Sequence, residues 1–117
     1  MCDIARLEDL VDEQLGGIHF VQDYVELYFD GPIVRCLQWP ILVFNGKRIA
    51  SDMQGYRDEI CQMIGTQVDE VEIIEGDCIK IVLRNGWLIE VPIDTESSSY
   101  PESAHFVPGI DKPVQVF

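Results

Sequence analysis

Two histidines, four cysteines and 21 carboxylates are the side chains on which any reaction of this 117-residue chain would rest. His19 stands beside Phe20 and Val21, and His105 precedes Phe106, with Glu102 and Ser103 just upstream. An imidazole can move protons near neutral pH, but a catalytic triad is defined by converging side chains, not by sequence neighbours. Both histidines therefore read first as hydrogen-bonded structural groups. Cys2, Cys36, Cys61 and Cys78 are dispersed, with no C-x-x-C pair among them. Zinc sites draw ligands in close pairs from short loops, which this spacing does not offer. Cys36, Cys61 and Cys78 sit in apolar stretches, where a reduced thiol behaves as a small hydrophobe, so four free thiols are expected. Asp69-Glu70-x-Glu72 lacks the alternating ligands and central glycine of a calcium loop. Nucleophile-elbow, phosphate-loop, dinucleotide and zinc-helix motifs are missing from the sequence. These residues single out no catalytic group, no metal and no cofactor.

The charge distribution says more. Acids outnumber Lys and Arg by 21 to 8, giving a net charge of -13. Binding to nucleic-acid phosphates needs bases that displace counterions, so that class of partner is excluded. Residues 1–30 carry a net -7, residues 31–57 a net +3 and residues 58–77 a net -7. Such segments either keep the surface solvated or steer a cationic protein towards it. Tyr24 and Tyr28 fall opposite Val25, Leu27 and Phe29 on one strand, with Glu26 between them. Tyrosine beside carboxylate suits an interface anchor, whereas a covered sheet would bury the same residues as core. The expected partner-binding set is Asp58, Glu59, Asp69, Glu70, Glu72, Tyr24 and Tyr28.

Elements must position these groups. Apolar residues form 47% of the chain and charged residues 25%, which fits one folded domain spanning residues 1–117. Ile4, Leu7, Leu10, Val11 and Leu15 recur at helical spacing, with Asp3 as cap and Gly16-Gly17 as stop, predicting a helix over 4–15. Ile18 to Phe29 reads as strand, and Ile33 to Phe44 as a second extended stretch broken at Trp39-Pro40. A two-residue turn at Asp30-Gly31 would pair Glu26 with Arg35, yet would put Pro32 where an amide donor is wanted; that register stays open. Ser51-x-x-Gln54 resembles a capping box for a helix over 53–64, although Gly55 favours a start at Gly55 itself. Hairpins follow at Gly76-Asp77 and at Arg84-Asn85-Gly86, the second pairing Lys80 with Glu90 and Ile81 with Ile89. Residues 94–103 are a polar loop, and 104–117 an apolar tail docked in extended form. The predicted fold is α+β, in the order α-β-β-α-β-β-β: a mostly antiparallel sheet of about five strands with both helices on one face. The two helix–hairpin halves also hint at an internal repeat.

Phe29–Gly31, Gly55–Asp58 and Pro101–Phe106 resemble segments of small uncharacterised acidic bacterial proteins. In size, charge and mixed α/β pattern the chain is similar to the immunity proteins of toxin–immunity systems. Neither resemblance implies a catalytic residue. The leading expectation is a non-enzymatic cytoplasmic protein-binding domain, an immunity-type inhibitor of a basic toxin or another cationic protein. The alternatives are a small-ligand binder or small enzyme using His19 or His105 between sheet and helix, and a subunit that homodimerises through a sheet edge or its tail. No apolar run reaches the roughly 18 residues of a membrane span, and the acidic first ten residues do not read as a signal peptide.

Overall fold

A side-chain period of two, with apolar residues alternating against polar ones, governs most of this chain. The computed structural model describes residues 7–94, 104–108 and 114–117. Its strands are β1 (Leu15–Val21), β2 (Tyr24–Phe29), β3 (Ile33–Cys36), β4 (Ile41–Phe44), β5 (Lys47–Ile49), β6 (Val68–Ile74), β7 (Cys78–Leu83), β8 (Leu88–Pro92), β9 (Ala104–Val107) and β10 (Gln115–Val116). A 3-10 turn at Leu7–Leu10 precedes β1, and one short helix, α1 (Tyr56–Cys61), lies between β5 and β6. The strands form two antiparallel sheets, ordered β1-β2-β3-β9-β10 and β5-β4-β8-β7-β6. This overturns the α+β expectation of one sheet beneath two helices. Val25, Leu27, Phe29, Val34 and Phe106 of the first sheet join Leu42, Ile79, Ile81, Leu83, Ile89 and Val91 of the second in one core. Trp39-Pro40 falls where the chain leaves the first sheet for the second, which is why proline interrupts no ladder there.

The first expected helix fails for a reason remote in sequence. Asp12 takes a left-handed φ of 75°, and the chain then pairs with residues 65–68. Asp12 N–H donates to Val68 C=O at 2.8 Å, Val68 N–H to Glu13 C=O at 2.9 Å, and Leu15 N–H to Thr66 C=O at 2.9 Å. An isolated helix of a dozen residues is marginal in water, so these long-range bonds prevail. Leu7, Leu10 and Leu15 are still buried, because a 3-10 turn followed by strand aims them at the same core. Ile4 and the Asp3 cap lie outside the described residues.

The second helix is real but half as long. Gly55, at φ 86°, precedes Tyr56 as a left-handed cap that costs other residues strain. Met53 is half exposed and lies before the helix, where its N–H donates to Ala50 C=O, so the Ser51–Gln54 capping box does not form. Tyr56, Ile60 and Met63 keep the buried stripe, and the Tyr56 hydroxyl donates to Pro40 C=O at 2.5 Å.

The turns match the chemistry of their residues. Glu26 pairs with Arg35 across the Asp30-Gly31 turn, and Phe29 N–H donates to Pro32 C=O at 2.8 Å. Pro32 thus serves as acceptor only, so its missing N–H removes a single bond. Lys80 pairs with Glu90 and Ile81 with Ile89, as a three-residue Arg84-Asn85-Gly86 loop requires. Asn45 and Gly46 both take positive φ in a two-residue turn, which creates the short strand β5 that the sequence reading lacks. The tail docks on its own sheet: β9 pairs with β3, and Ala104 and Phe106 are buried. The polar stretch after Asp94 lies outside the described residues up to Ala104. Among the described residues no helix is long and apolar enough to cross a membrane.

Cys36, Cys61 and Cys78 are free thiols, while Cys2 is outside the described residues. Complete burial, with the Glu26 charge behind it, pushes the Cys36 thiol far up. A thiol reagent added to the native protein is therefore expected to label exposed Cys61 first and half-buried Cys78 more slowly. Cys36 should react only at the rate of unfolding. Peptide mapping after a timed pulse checks the order.

Candidate functional site

The β1–β2–β3–β9 register places His19, Glu26, Arg35 and His105 side by side on four neighbouring strands. Their side chains share the outer face of the first sheet, since Val25, Leu27, Val34, Cys36 and Phe106 point into the core. Glu26 is the centre of this row and only 6% exposed, despite lying on the outer face. Arg35 Nε donates to Glu26 Oε2 at 2.8 Å, and the Tyr28 hydroxyl donates to Oε1 at 3.0 Å. His19 Nδ1 meets the same Oε1 at 3.1 Å. Arg35 continues the row, with Nη1 at 3.5 Å from His105 Nδ1 and its guanidinium 5.5 Å from the centre of the Tyr24 ring. Tyr24 and Tyr28 flank Glu26 along β2, so long side chains roof over the carboxylate.

Two opposing effects act on Glu26. Burial pushes its carboxyl up, but hydrogen bonds from Arg35, His19 and Tyr28, aided by the Arg35 charge, outweigh it. The carboxyl consequently sits below its ordinary value of 4.5 and is ionised at neutral pH. The same hydrogen bond holds the Tyr28 proton in place and raises the hydroxyl above its usual range. One buried charge thereby fixes the rotamers of His19, Tyr28 and Arg35.

Chemically, the His19–Glu26 pair has the form of an oriented imidazole. With the proton on Nδ1 facing Glu26, the Nε2 lone pair of this exposed ring faces outwards. Beside it lies an open groove of about 440 Å³, lined by Gly16, Gly17, Ile18, His19 and Tyr28. Among the described residues that line it there is no serine, threonine or cysteine, and Cys36 points to the opposite side of the sheet. Among the described residues no cluster of His, Cys, Asp and Glu has the form of a metal site. Among the described residues His19 lies on the open outer face of the first sheet rather than between sheet and helix.

The acidic residues of the expected set lie elsewhere. Asp58 and Glu59 occupy the first turn of α1. Asp69, Glu70 and Glu72 are exposed along β6, the outer edge of the second sheet. That sheet repeats the motif of a shielded acid on its outer face: Glu90 is 9% exposed and Arg48 Nη2 lies 2.8 Å from its Oε1.

The Tyr24/Tyr28 face follows from alternation along β2 and both histidines are among the expected candidates, whereas Glu26 and Arg35 are not in the expected site set. The signal for them was the attractive Glu26–Arg35 pairing at the Asp30-Gly31 turn. No family model, curated protein or solved structure matches the chain.

Proposed function

We propose that the chain is a non-enzymatic protein-binding domain whose contact face is the outer surface of the first sheet. The observation that carries this reading is the buried Glu26, which pre-orients Arg35, Tyr28 and His19 on an open face beside Tyr24. Tyrosine and arginine held in fixed rotamers bind with little loss of entropy, and they are the types that dominate interface energetics. The net charge of -13 favours a cationic protein as the partner. An immunity-type inhibitor of a basic toxin is the form of such a domain that fits its size and charge. Free thiols at Cys36, Cys61 and Cys78 support action in a reducing compartment such as the cytoplasm.

The test uses the partner captured from the native host, purified, and measured against wild type and the Tyr24→Ala and Tyr28→Ala variants. Each substitution is expected to weaken binding by about tenfold or more, through faster dissociation. Association is expected to slow as salt rises, because exposed charges are screened beyond roughly 8–10 Å at physiological ionic strength. Unchanged dissociation rates in both variants would refute the assigned face. Salt-independent association would refute the cationic partner.

A further inference from the structure

We propose that β6 is a second docking edge, which accepts an extended basic segment of a protein as an added strand. This surface is separate from the tyrosine face, and the inference does not depend on that face being a binding site.

The direction of its backbone groups follows from the neighbouring strand. Leu83 N–H donates to Trp87 C=O, away from β6, while Arg84 N–H donates to Gln67 C=O, towards it. Backbone groups alternate sides along a strand, so Lys80 and Val82 face β6. Their partners Glu72 and Glu70 must then face β7. Val71 and Ile73 are left with their N–H and C=O groups directed outwards. At Val68 the outward groups are already taken by Asp12 and Glu13, but among the described residues no strand pairs with the edge beyond that point.

Side chains define what such a strand would carry. Glu70 and Glu72 project from the outer face, opposite Val82 and Lys80. Val71 and Ile73 project from the core face, and Ile73 is still 37% exposed. Among the described residues neither Glu70 nor Glu72 forms an ion pair. An added strand therefore needs Lys or Arg on one face and apolar residues on the other, in strict alternation. Other exposed edges of the sheets are shorter or lack this charge: β5 has three residues, β10 has two, and β1 carries no acid. A second copy of the chain pairing at β6 would bring acids against acids, which disfavours self-association there.

The probe is a synthetic nine-residue peptide alternating Lys with Val or Ile, compared with a peptide of equal composition whose lysines are grouped at one end. Binding is read by fluorescence anisotropy, and its place by hydrogen exchange of individual amides. The alternating peptide is expected to slow exchange at Val71 and Ile73 and to bind at least tenfold tighter than the grouped one. Glu70→Lys/Glu72→Lys should weaken it at least tenfold. Ile73→Pro should abolish it while leaving the β7 pairing intact, because the lost N–H points away from β7. Equal binding of the two peptides, protection away from β6, or dimerisation of the chain through β6 would overturn the proposal. If Ile73→Pro fails to fold, the wild-type exchange map and the peptide comparison still decide it. Peptide binding that persists in Tyr24→Ala/Tyr28→Ala separates this edge from the tyrosine face.

Discussion

Phe106→Ala is expected to destabilise the domain by about 3–5 kcal/mol, the range for deleting a fully buried aromatic ring. Phe106 is 1% exposed, and on β9 it lies between Val34 of β3 and Gln115 of β10. Its loss opens a cavity in the core that the two sheets share. At roughly 4 °C per kcal/mol for a domain of this size, the melting temperature should fall by about 12–20 °C. Val116→Ala, in the same tail but 55% exposed, should change stability by no more than about 0.5 kcal/mol. Urea titration of the three proteins checks both values. A small effect of Phe106→Ala would mean that the tail is an appendage rather than part of the first sheet.

Glu26→Ala has the next largest expected effect, a loss of about 2–3 kcal/mol at neutral pH. The substitution leaves Arg35, His19 and Tyr28 without their common acceptor. Arg35 is one-third exposed and regains water, which keeps the cost at the lower end for a broken buried pair. Glu26→Leu/Arg35→Leu should recover much of the loss, because removing both charges leaves neither unpaired. The pH dependence has a definite sign. The folded-state pKa of Glu26 is lowered from 4.5, so its contribution is fully present above 4.5 and is lost as pH falls through the lower folded value. The stability gap between wild type and Glu26→Ala should therefore be widest near neutrality and narrow below about pH 4.5. A gap that is constant from pH 7 to pH 3 would show that the side chain acts by packing and not by charge.

How much of this was legible in the sequence depended on the range of the interaction involved. Local chemistry was readable: the Arg84-Asn85-Gly86 loop set the β7–β8 register, and alternation placed Tyr24, Glu26 and Tyr28 on one face. The first helix was not, because its stripe of Leu7, Leu10 and Leu15 also suits a turn leading into a strand. What decides between them is pairing with residues 65–68, some fifty positions away, which no local pattern reveals. Gly16-Gly17 reads as a helix stop but lies inside β1, where Gly17 pairs with Tyr28 and Gly16 occupies the register shift between Leu15 and Gly17. The β1–β2 hairpin was read through as one strand because Gln22-Asp23 lacks the glycine or proline that marks most tight turns. The same hidden hairpin brings His19 beside Glu26, and the pairing of β3 with β9 brings His105 beside Arg35 across 70 residues of sequence. The site's ingredients were visible, but their convergence was a property of the topology.

The outer face of the first sheet is the proposed protein-contact surface. It is tested most directly by amide hydrogen exchange and cross-saturation on the isotope-labelled chain, alone and bound to its captured partner. The expected result is protection and saturation transfer centred on Tyr24, Tyr28, His19, Arg35 and His105. A bound partner that leaves these residues unchanged and instead perturbs only the outer face of the second sheet, around Arg48 and Glu90, would contradict it.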